Sequence, residues 1–294
     1  MDVLLTGATG FIGKSLLSNL EERHHLYALT RQNNTDGSNI SWINGDLSCL
    51  DISLYLPDNV DAIVYLAQSN KYRSFPDNVW DIFNINISSV LSLLEYARVK
   101  KIKKFIFAST ANVYELSHYP INENNKLDMT SFYARSKRIA EMLVESYSNF
   151  FRTIVFRFFT VYGPGQNGML IPSLVEKVKT KMPVQLYGNE YGLELSPIFV
   201  SDVVKVLITA LENDDEKRGF DVFNVGGDER LSIRDIAILI GKQVNIKPEF
   251  EYIPGEYKGG WIADSTKLKE VYGLGEFLTF EDVIAEVIKG DKMR

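Results

Sequence analysis

The chain has 294 residues, 45% of them hydrophobic, with a formal net charge of −6 and a sequence pI near 5.3. These values suit a folded α/β protein and argue against disorder, and against nucleic acid or an anionic membrane as the main partner. A single cysteine, Cys49, rules out an internal disulfide; the three histidines, His24, His25 and His118, fall at no metal-ligand spacing, so no metal is expected, and a reduced, cytoplasmic setting is. The N-terminus carries no export-signal pattern and no apolar run approaches the ~18 residues that span a bilayer, so membrane insertion is not expected.

The first strand-like run, Val3 to Leu5, leads into Thr6-Gly-Ala-Thr-Gly-Phe-Ile-Gly13 and then a helical period at Ile12, Leu16 and Leu20. A glycine-rich loop between a strand and a helix is the setting of a dinucleotide fingerprint. Gly7 would allow the tight turn, Gly10 the approach of a pyrophosphate and Gly13 close helix–strand packing, with Thr9, Phe11 and Ile12 completing the cofactor loop. The spacing is one residue longer at its first interval than the commonest fingerprint. A second run, Leu26 to Leu29, ends in Thr30-Arg31 with no acid before Asp36. Arg31 either accommodates a ribose 2′-phosphate, which leans the cofactor towards NADP, or is a solvated loop residue. The cluster from Gln32 to Asn39 reads as a loop.

Further short apolar runs at Ala62 to Leu66, Phe105 to Ala108 and Ile154 to Phe156 alternate with helical periods at Val90, Leu93, Leu94 and Ala97, and at Ile139, Leu143 and Tyr147. Strands alternating with helices predict an α/β fold, a doubly wound parallel (Rossmann) sheet whose ligand crevice lies at the carboxyl ends of the strands. After Tyr162-Gly-Pro-Gly165 the pattern loosens into a smaller C-terminal α/β lobe. The expected division is a dinucleotide domain over 1–165, with 220–240 returning to it through the Phe220 to Val225 run, and a substrate lobe over 166–294.

Tyr133 and Lys137 lie four residues apart, which places them on one face of a helix. A Lys ammonium beside a phenol favours the phenolate, and a phenol otherwise near pKa ~10 then becomes a usable base for a carbinol proton. Thr110 offers a hydroxyl to the reacting oxygen.

Five segments in order, Gly7 to Gly13, Gly45-Asp-Leu47, Phe107 to Tyr114, Tyr133-Ala-Arg-Ser-Lys137 and Arg157 to Gly165, resemble the extended short-chain dehydrogenase/reductases of the NAD-dependent epimerase/dehydratase group. The resemblance continues through Ile198 to Asp202, Phe223 to Gly226 and Ala263 to Lys267, nearly the whole chain. It implies that Asp46 and Leu47 contact the adenine, Ala67 lines the dinucleotide cleft and Asn86 stands on a supporting helix. It gives Thr110 the reacting oxygen, with Ser109 a weaker candidate, Tyr133 the acid/base role, and Lys137 both the depression of the tyrosine pKa and the nicotinamide ribose. Thr160 stands where the family carries Asn and still offers a hydroxyl to substrate. Phe159 and Tyr162 read as core or cleft-wall aromatics, and Trp261 as a cap on the substrate lobe or a packing residue.

The departures are informative. Ala111-Asn112 replaces the Asp-Glu pair of the dehydratases, which disfavours that reaction. Leu195, and Tyr252 or Ile253, stand where the epimerases carry arginines for the substrate diphosphate; Lys177, Lys181 and Lys258 are alternative cations or solvated lysines. The leading expectation is an NAD(P)-dependent nucleotide-sugar epimerase or 4-keto reductase, the motif set leaning to NAD and epimerisation, Arg31 to NADP and reduction. An NADPH-dependent carbonyl reductase of a non-nucleotide substrate and a non-catalytic dinucleotide-sensing module are the alternatives. A homodimer is expected through helices matching Trp80 to Val99 and Ser131 to Phe150.

Overall fold

Apolar runs too short to make helices become buried strands, and the amphipathic stretches between them become the helices that cover the sheet. The computed structural model describes residues 1–32, 34, 35, 37–49, 52–214 and 217–290. In chain order the elements are β1 (Asp2–Thr6), α1 (Phe11–Leu20), β2 (His25–Thr30), β3 (Ile40–Asn44), β4 (Ala62–Tyr65), α2 (Val79–Phe83), α3 (Ser89–Lys100), β5 (Lys104–Thr110), α4 (Phe132–Ser146) and β6 (Arg152–Phe158). There follow β7 (Thr160–Tyr162), α5 (Leu170–Lys179), β8 (Val184–Tyr187), β9 (Glu194–Leu195), β10 (Pro197–Phe199), α6 (Val200–Glu212) and β11 (Gly219–Val225). The chain closes with β12 (Leu231–Ser232), α7 (Ile233–Val244), β13 (Phe250–Ile253), α8 (Thr266–Tyr272) and α9 (Phe280–Gly290).

Seven strands form one sheet in the order β11-β6-β5-β4-β1-β2-β3. β1 runs parallel to both β2 and β4, β2 to β3 and β4 to β5. The order therefore reverses between β1 and β4, and a doubly wound sheet opens its ligand crevice at the carboxyl ends of the strands at such a reversal. β3, Ile-Ser-Trp-Ile-Asn, is the edge strand beyond β2; it carries two polar residues in five and only Ile40 is buried, so it shows no continuous apolar run.

The chain divides into two units: Met1–Tyr114, Lys126–Arg157 and Val204–Phe223 form the first, and Glu115–Asn125, Phe158–Val203 and the residues from Asn224 onward the second. The main run of the first unit thus stops at Arg157, short of 165, and the returning segment is Val204–Phe223, earlier than 220–240. The physical reason is visible in two places. Lys104, buried on β5, donates to the carbonyls of Ala210, Leu211 and Asn213 at the end of α6, at 2.7–2.9 Å, tying that helix to the first unit. Ser117 and Ile121 instead bridge to Gly260 and Ala263 in the second.

The first unit packs Leu4, Ile63, Tyr65, Phe105 and Phe107 against Val90, Leu93, Leu94, Ala140 and Val144. Each large apolar side chain buried there contributes about 2–3 kcal/mol. A π-helical turn over Asn84–Ser88 joins α2 to α3, where the Tyr65 hydroxyl donates to Ile85 O at 2.6 Å. In the second unit Tyr162, Leu174, Leu186, Phe199, Ile236, Ile240, Phe280 and Ile284 form a separate core. Its helix α7 starts in a capping box made by Ser232 and Asp235. No helix among the described residues is long and apolar enough to cross a membrane.

Candidate active site

β1 runs out at the buried Thr6, whose hydroxyl accepts the N–H of Ala67 at 3.2 Å and so ties the loop after β1 to the end of β4. Gly7 follows at φ +71°, and a Cβ there would meet Ala67 N at 2.8 Å. At Gly13 a Cβ would lie 2.0 Å from Gly7 O. Only hydrogens fit at these two positions, which is why loop, helix and strand approach so closely. Gly10 caps α1 with extended backbone and no side-chain hydrogen bond, and the helix makes its first main-chain bond from Lys14 N–H to Gly10 O at 3.0 Å. The amides of Phe11, Ile12 and Gly13 precede that bond, at the electropositive end of the helix where a phosphate is held. Thr9, Phe11 and Ile12 are half-buried around this turn. The cradle fits a dinucleotide pyrophosphate, because it is closed to side chains and open at uncapped amides.

Arg31 and Asp46 flank the bond from Gly45 N–H to Thr30 O, 2.9 Å, at the ends of β2 and β3. Arg31 is exposed. Asp46 accepts the Ser48 N–H at 2.9 Å in a turn, while Leu47 packs against the first unit's core. Asp36 lies outside the described residues.

The catalytic candidates meet at the ends of β4 and β5. Ser131 caps α4 by accepting the Ala134 N–H at 3.1 Å, and this start sets the phase that brings Tyr133 and Lys137 to one face. Tyr133 donates to Gln68 Oε1 at 3.0 Å, and the Thr110 hydroxyl, which accepts the Asn112 N–H at 3.2 Å, lies near enough to the phenol to favour its ionised form. Gln68 follows Ala67, so the path from the cradle to the phenol is Gly7, Ala67, Gln68, Tyr133. Lys137 is 2% exposed; its ammonium donates to Ala108 O at 2.8 Å and lies 4.9 Å from the centre of the Phe107 ring. Asn86, also buried, donates to Ser136 at 3.0 Å and accepts the Ser69 N–H at 3.0 Å, joining α4 to the loop after β4.

Two expectations are corrected here. The Tyr133 phenol, half-buried between Gln68 and Tyr72, is raised above its ordinary range, not lowered: partial loss of solvent is the larger influence, and the Thr110 hydroxyl and the Arg73 charge oppose it. Lys137 is itself pulled down to about 7 by burial, with Glu141 working against that, so near neutral pH it is only partly an ammonium and is a weak source of phenolate-favouring charge. Ser109, the weaker substrate candidate, donates its hydroxyl to Glu141 in the interior and is a structural group.

Several neighbours escaped the sequence reading. Glu141, fully buried, takes both Arg157 Nε at 3.0 Å and Arg157 Nη2 at 2.7 Å, and Arg138 at 3.1 Å; Arg157 also donates to the Tyr114 hydroxyl at 2.6 Å. The available signal was the spacing, since Glu141 continues the Tyr133–Lys137 face by another four residues, between the buried Ala140 and Val144. Tyr72 packs its ring 4.6 Å from that of Tyr133 and lies under the Arg73 guanidinium at 5.1 Å. These belong to a loop with no apolar period.

The remaining candidates sit in the second unit. Thr160 begins β7, paired with β10 at Pro197. Leu195 is buried on β9, and Trp261 pairs its main chain with it and packs against the unit's core, which is the packing alternative. Lys258 lies 3.5 Å from Glu256, and Arg230 grips Glu194 through two 2.7 Å bonds. Among the described residues no cluster of three His, Cys, Asp or Glu side chains is placed to hold a metal.

A family model described as the NAD dependent epimerase/dehydratase family matches residues 3–226. An uncharacterized UDP-glucose epimerase of Bacillus subtilis is 30% identical over 92% of this chain and 92% of its own length. A UDP-glucuronate 4-epimerase of Thermodesulfobacterium geofontis is 27% identical over 80% of this chain and 73% of its own. Among solved structures, the UDP-glucuronic acid 4-epimerase of Bacillus cereus, in complex with UDP-glucuronic acid and NAD, superposes with a TM-score of 0.86 at 26% identity, covering 99% of both chains.

Proposed function

The chain belongs to the NAD dependent epimerase/dehydratase family, and from that premise we propose that it is a UDP-sugar 4-epimerase, with Thr110, Tyr133 and Lys137 as its catalytic group. The observation that carries this reading is the continuous path from the glycine cradle through Ala67 and Gln68 to the Tyr133 hydroxyl. NAD, when bound in the cradle, supplies the acceptor and donor of a hydride at the sugar carbon. Tyr133, as the acid/base, takes the carbinol proton as the carbon is oxidised and returns it as the carbon is reduced; desolvation disfavours the ionised phenol that the first step needs, and the Thr110 hydroxyl and the Arg73 charge work against that. Thr110, near the Tyr133 phenol, holds the reacting oxygen at that hydroxyl, and Lys137 orients the cofactor ribose from the inner face of α4. Gly7, Thr9, Gly10, Phe11, Ile12 and Gly13 hold the pyrophosphate, while Arg31, Asp46, Leu47 and Ala67 line the adenosine side.

Ala111-Asn112, one short turn beyond Thr110, supplies no acid for elimination of water, which favours epimerisation over dehydration. The neighbours' NAD, and not the NADP towards which Arg31 leans, is the cofactor of this reading. The protein is a homodimer in the same reading: Trp80 (73% exposed), Phe83 and Leu91 on α2 and α3, and Ile139 and Met142 on α4, leave apolar surface that a second copy would cover.

The test is mass spectrometry of the cofactor that copurifies, followed by turnover on a panel of UDP-sugars. Retained NAD and a C4 epimer as product support the reading. A site that prefers NADPH, with product formed only from simple ketones or aldehydes, overturns it.

A further inference from the structure

Three consecutive residues at the end of β5 each face α4. Ala108 O accepts from Lys137, the Ser109 hydroxyl donates to Glu141, and the Thr110 hydroxyl lies near the Tyr133 phenol. The middle rung ends on a carboxylate with no exposure, which would be costly to bury alone. It is not alone: Arg157 on β6 meets it with two parallel bonds, Arg138 adds a third donor, and Arg157 is fixed in turn by the Tyr114 hydroxyl and lies over that ring at 4.8 Å. A bidentate, buried guanidinium–carboxylate pair has one good geometry. Two strands and one helix therefore meet at a single charged knot directly behind the catalytic hydroxyls.

We propose that Glu141, gripped by Arg157 and joined to Ser109, is a positioning residue for the reaction: it locks the end of β5 to α4 and so holds Thr110, Tyr133 and Lys137 in one mutual arrangement. Neither Glu141 nor Arg157 touches substrate in this account; they act through the residues that do. Ser109 and Thr110 are adjacent, so a β5 end released from Glu141 moves the Thr110 hydroxyl against the Tyr133 phenol. Reaction rates fall steeply with such displacements. The knot has an electrostatic consequence as well. The groups facing Glu141 are Lys137 and Arg138 on its own helix, Ser109 on β5 and Arg157 on β6, the last held in turn by Tyr114. Burial pulls Lys137 down to about 7, and Glu141 acts to keep it protonated. Loss of the Glu141 charge lowers the pH at which Lys137 gives up its proton.

The proposal rests on the epimerase reading for its kinetic test and is separable from it. Two variants are compared with wild type by kcat and KM for a UDP-sugar, by NAD affinity from about pH 6 to about pH 10, and by thermal unfolding. Ser109→Ala cuts the rung and leaves every charge. It is expected to lower kcat about 10- to 100-fold with KM within about threefold and the pH profile unmoved. Glu141→Gln keeps the shape and removes the charge; it is expected to lower kcat similarly and to shift the alkaline limb of kcat and of NAD affinity downward by about one pH unit or more. If Glu141→Gln does not fold, Ser109→Ala decides alone. A folded pair with wild-type kcat, or losses that follow the folded fraction with no change in the pH limb, overturns the proposal. If the wild type turns over no UDP-sugar, the epimerase reading fails, and the clamp is then judged on NAD affinity: the downward shift in Glu141→Gln supports it and an unmoved limb overturns it.

Discussion

Replacing Gly10 and Gly13 by alanine, one at a time, separates the two duties of the cofactor loop. At Gly13 an added Cβ would sit 2.0 Å from Gly7 O, 2.8 Å from Gly7 C and 2.9 Å from Ala8 Cα. All three atoms are main chain, so no side-chain rotation relieves the overlap of more than ~1 Å, and loop and helix must part. Overpacking of this kind costs about 3 kcal/mol, the upper part of the usual range, which lowers Tm by about 5–10 °C in a chain of this size. At Gly10 the backbone is extended, at φ −77° and ψ 176°, a conformation open to any residue, and the added Cβ meets only Gly7 O at 3.1 Å. Gly10→Ala should therefore change stability by less than about 1 kcal/mol. Its methyl would instead occupy the approach to the pyrophosphate and weaken NAD binding by about 100-fold, equal to about 2.7 kcal/mol. Calorimetric titration with NAD and thermal unfolding read the two effects independently. A Gly10→Ala protein that binds NAD as the wild type does, or a Gly13→Ala protein of unchanged Tm, would refute the assignment of these glycines.

Other outcomes follow from the same geometry. Tyr133→Phe should retain NAD affinity within about threefold while kcat falls by about 10²- to 10⁴-fold, measured by steady-state turnover. Lys137→Met should stop turnover and raise Tm, since a buried ammonium with a folded pKa near 7 is replaced by an apolar chain of similar length. Between about 7 and 10.5 the unfolded wild type holds the proton that the folded protein has released, so wild-type stability rises with pH across that window. The stability advantage of Lys137→Met is accordingly largest below pH ~7 and shrinks towards 10.5, which denaturant titration at several pH values checks. Trp80→Lys, placed on the exposed apolar surface of α2, should convert a homodimer to monomer in light scattering without changing NAD affinity.

Much of this arrangement was legible in the residues. The run at Phe105 to Ala108 becomes β5, the glycine loop lies between β1 and α1, and the Tyr133–Lys137 spacing falls on α4 as the helical period requires. Phe220 to Val225, apolar enough to re-enter the sheet, is its edge strand β11. What sequence could not deliver was environment. Spacing places an ammonium near a phenol but does not tell whether water surrounds them, and burial reverses the expected direction at Tyr133 and depresses Lys137. Ser109 and Thr110 look interchangeable as neighbouring hydroxyls, yet one faces Glu141 and the other Tyr133. Arg157 and Glu141 are 16 residues apart and meet only because β6 lies next to β5 under α4.

The most direct test of the central claim is to supply the protein with NAD and a UDP-sugar carrying deuterium at C4, and to follow the products by NMR. The account predicts a C4 epimer that keeps its deuterium, formed by wild type at least about 100-fold faster than by Tyr133→Phe. Epimer whose label has washed out into solvent, or equal turnover by the phenylalanine variant, would contradict it.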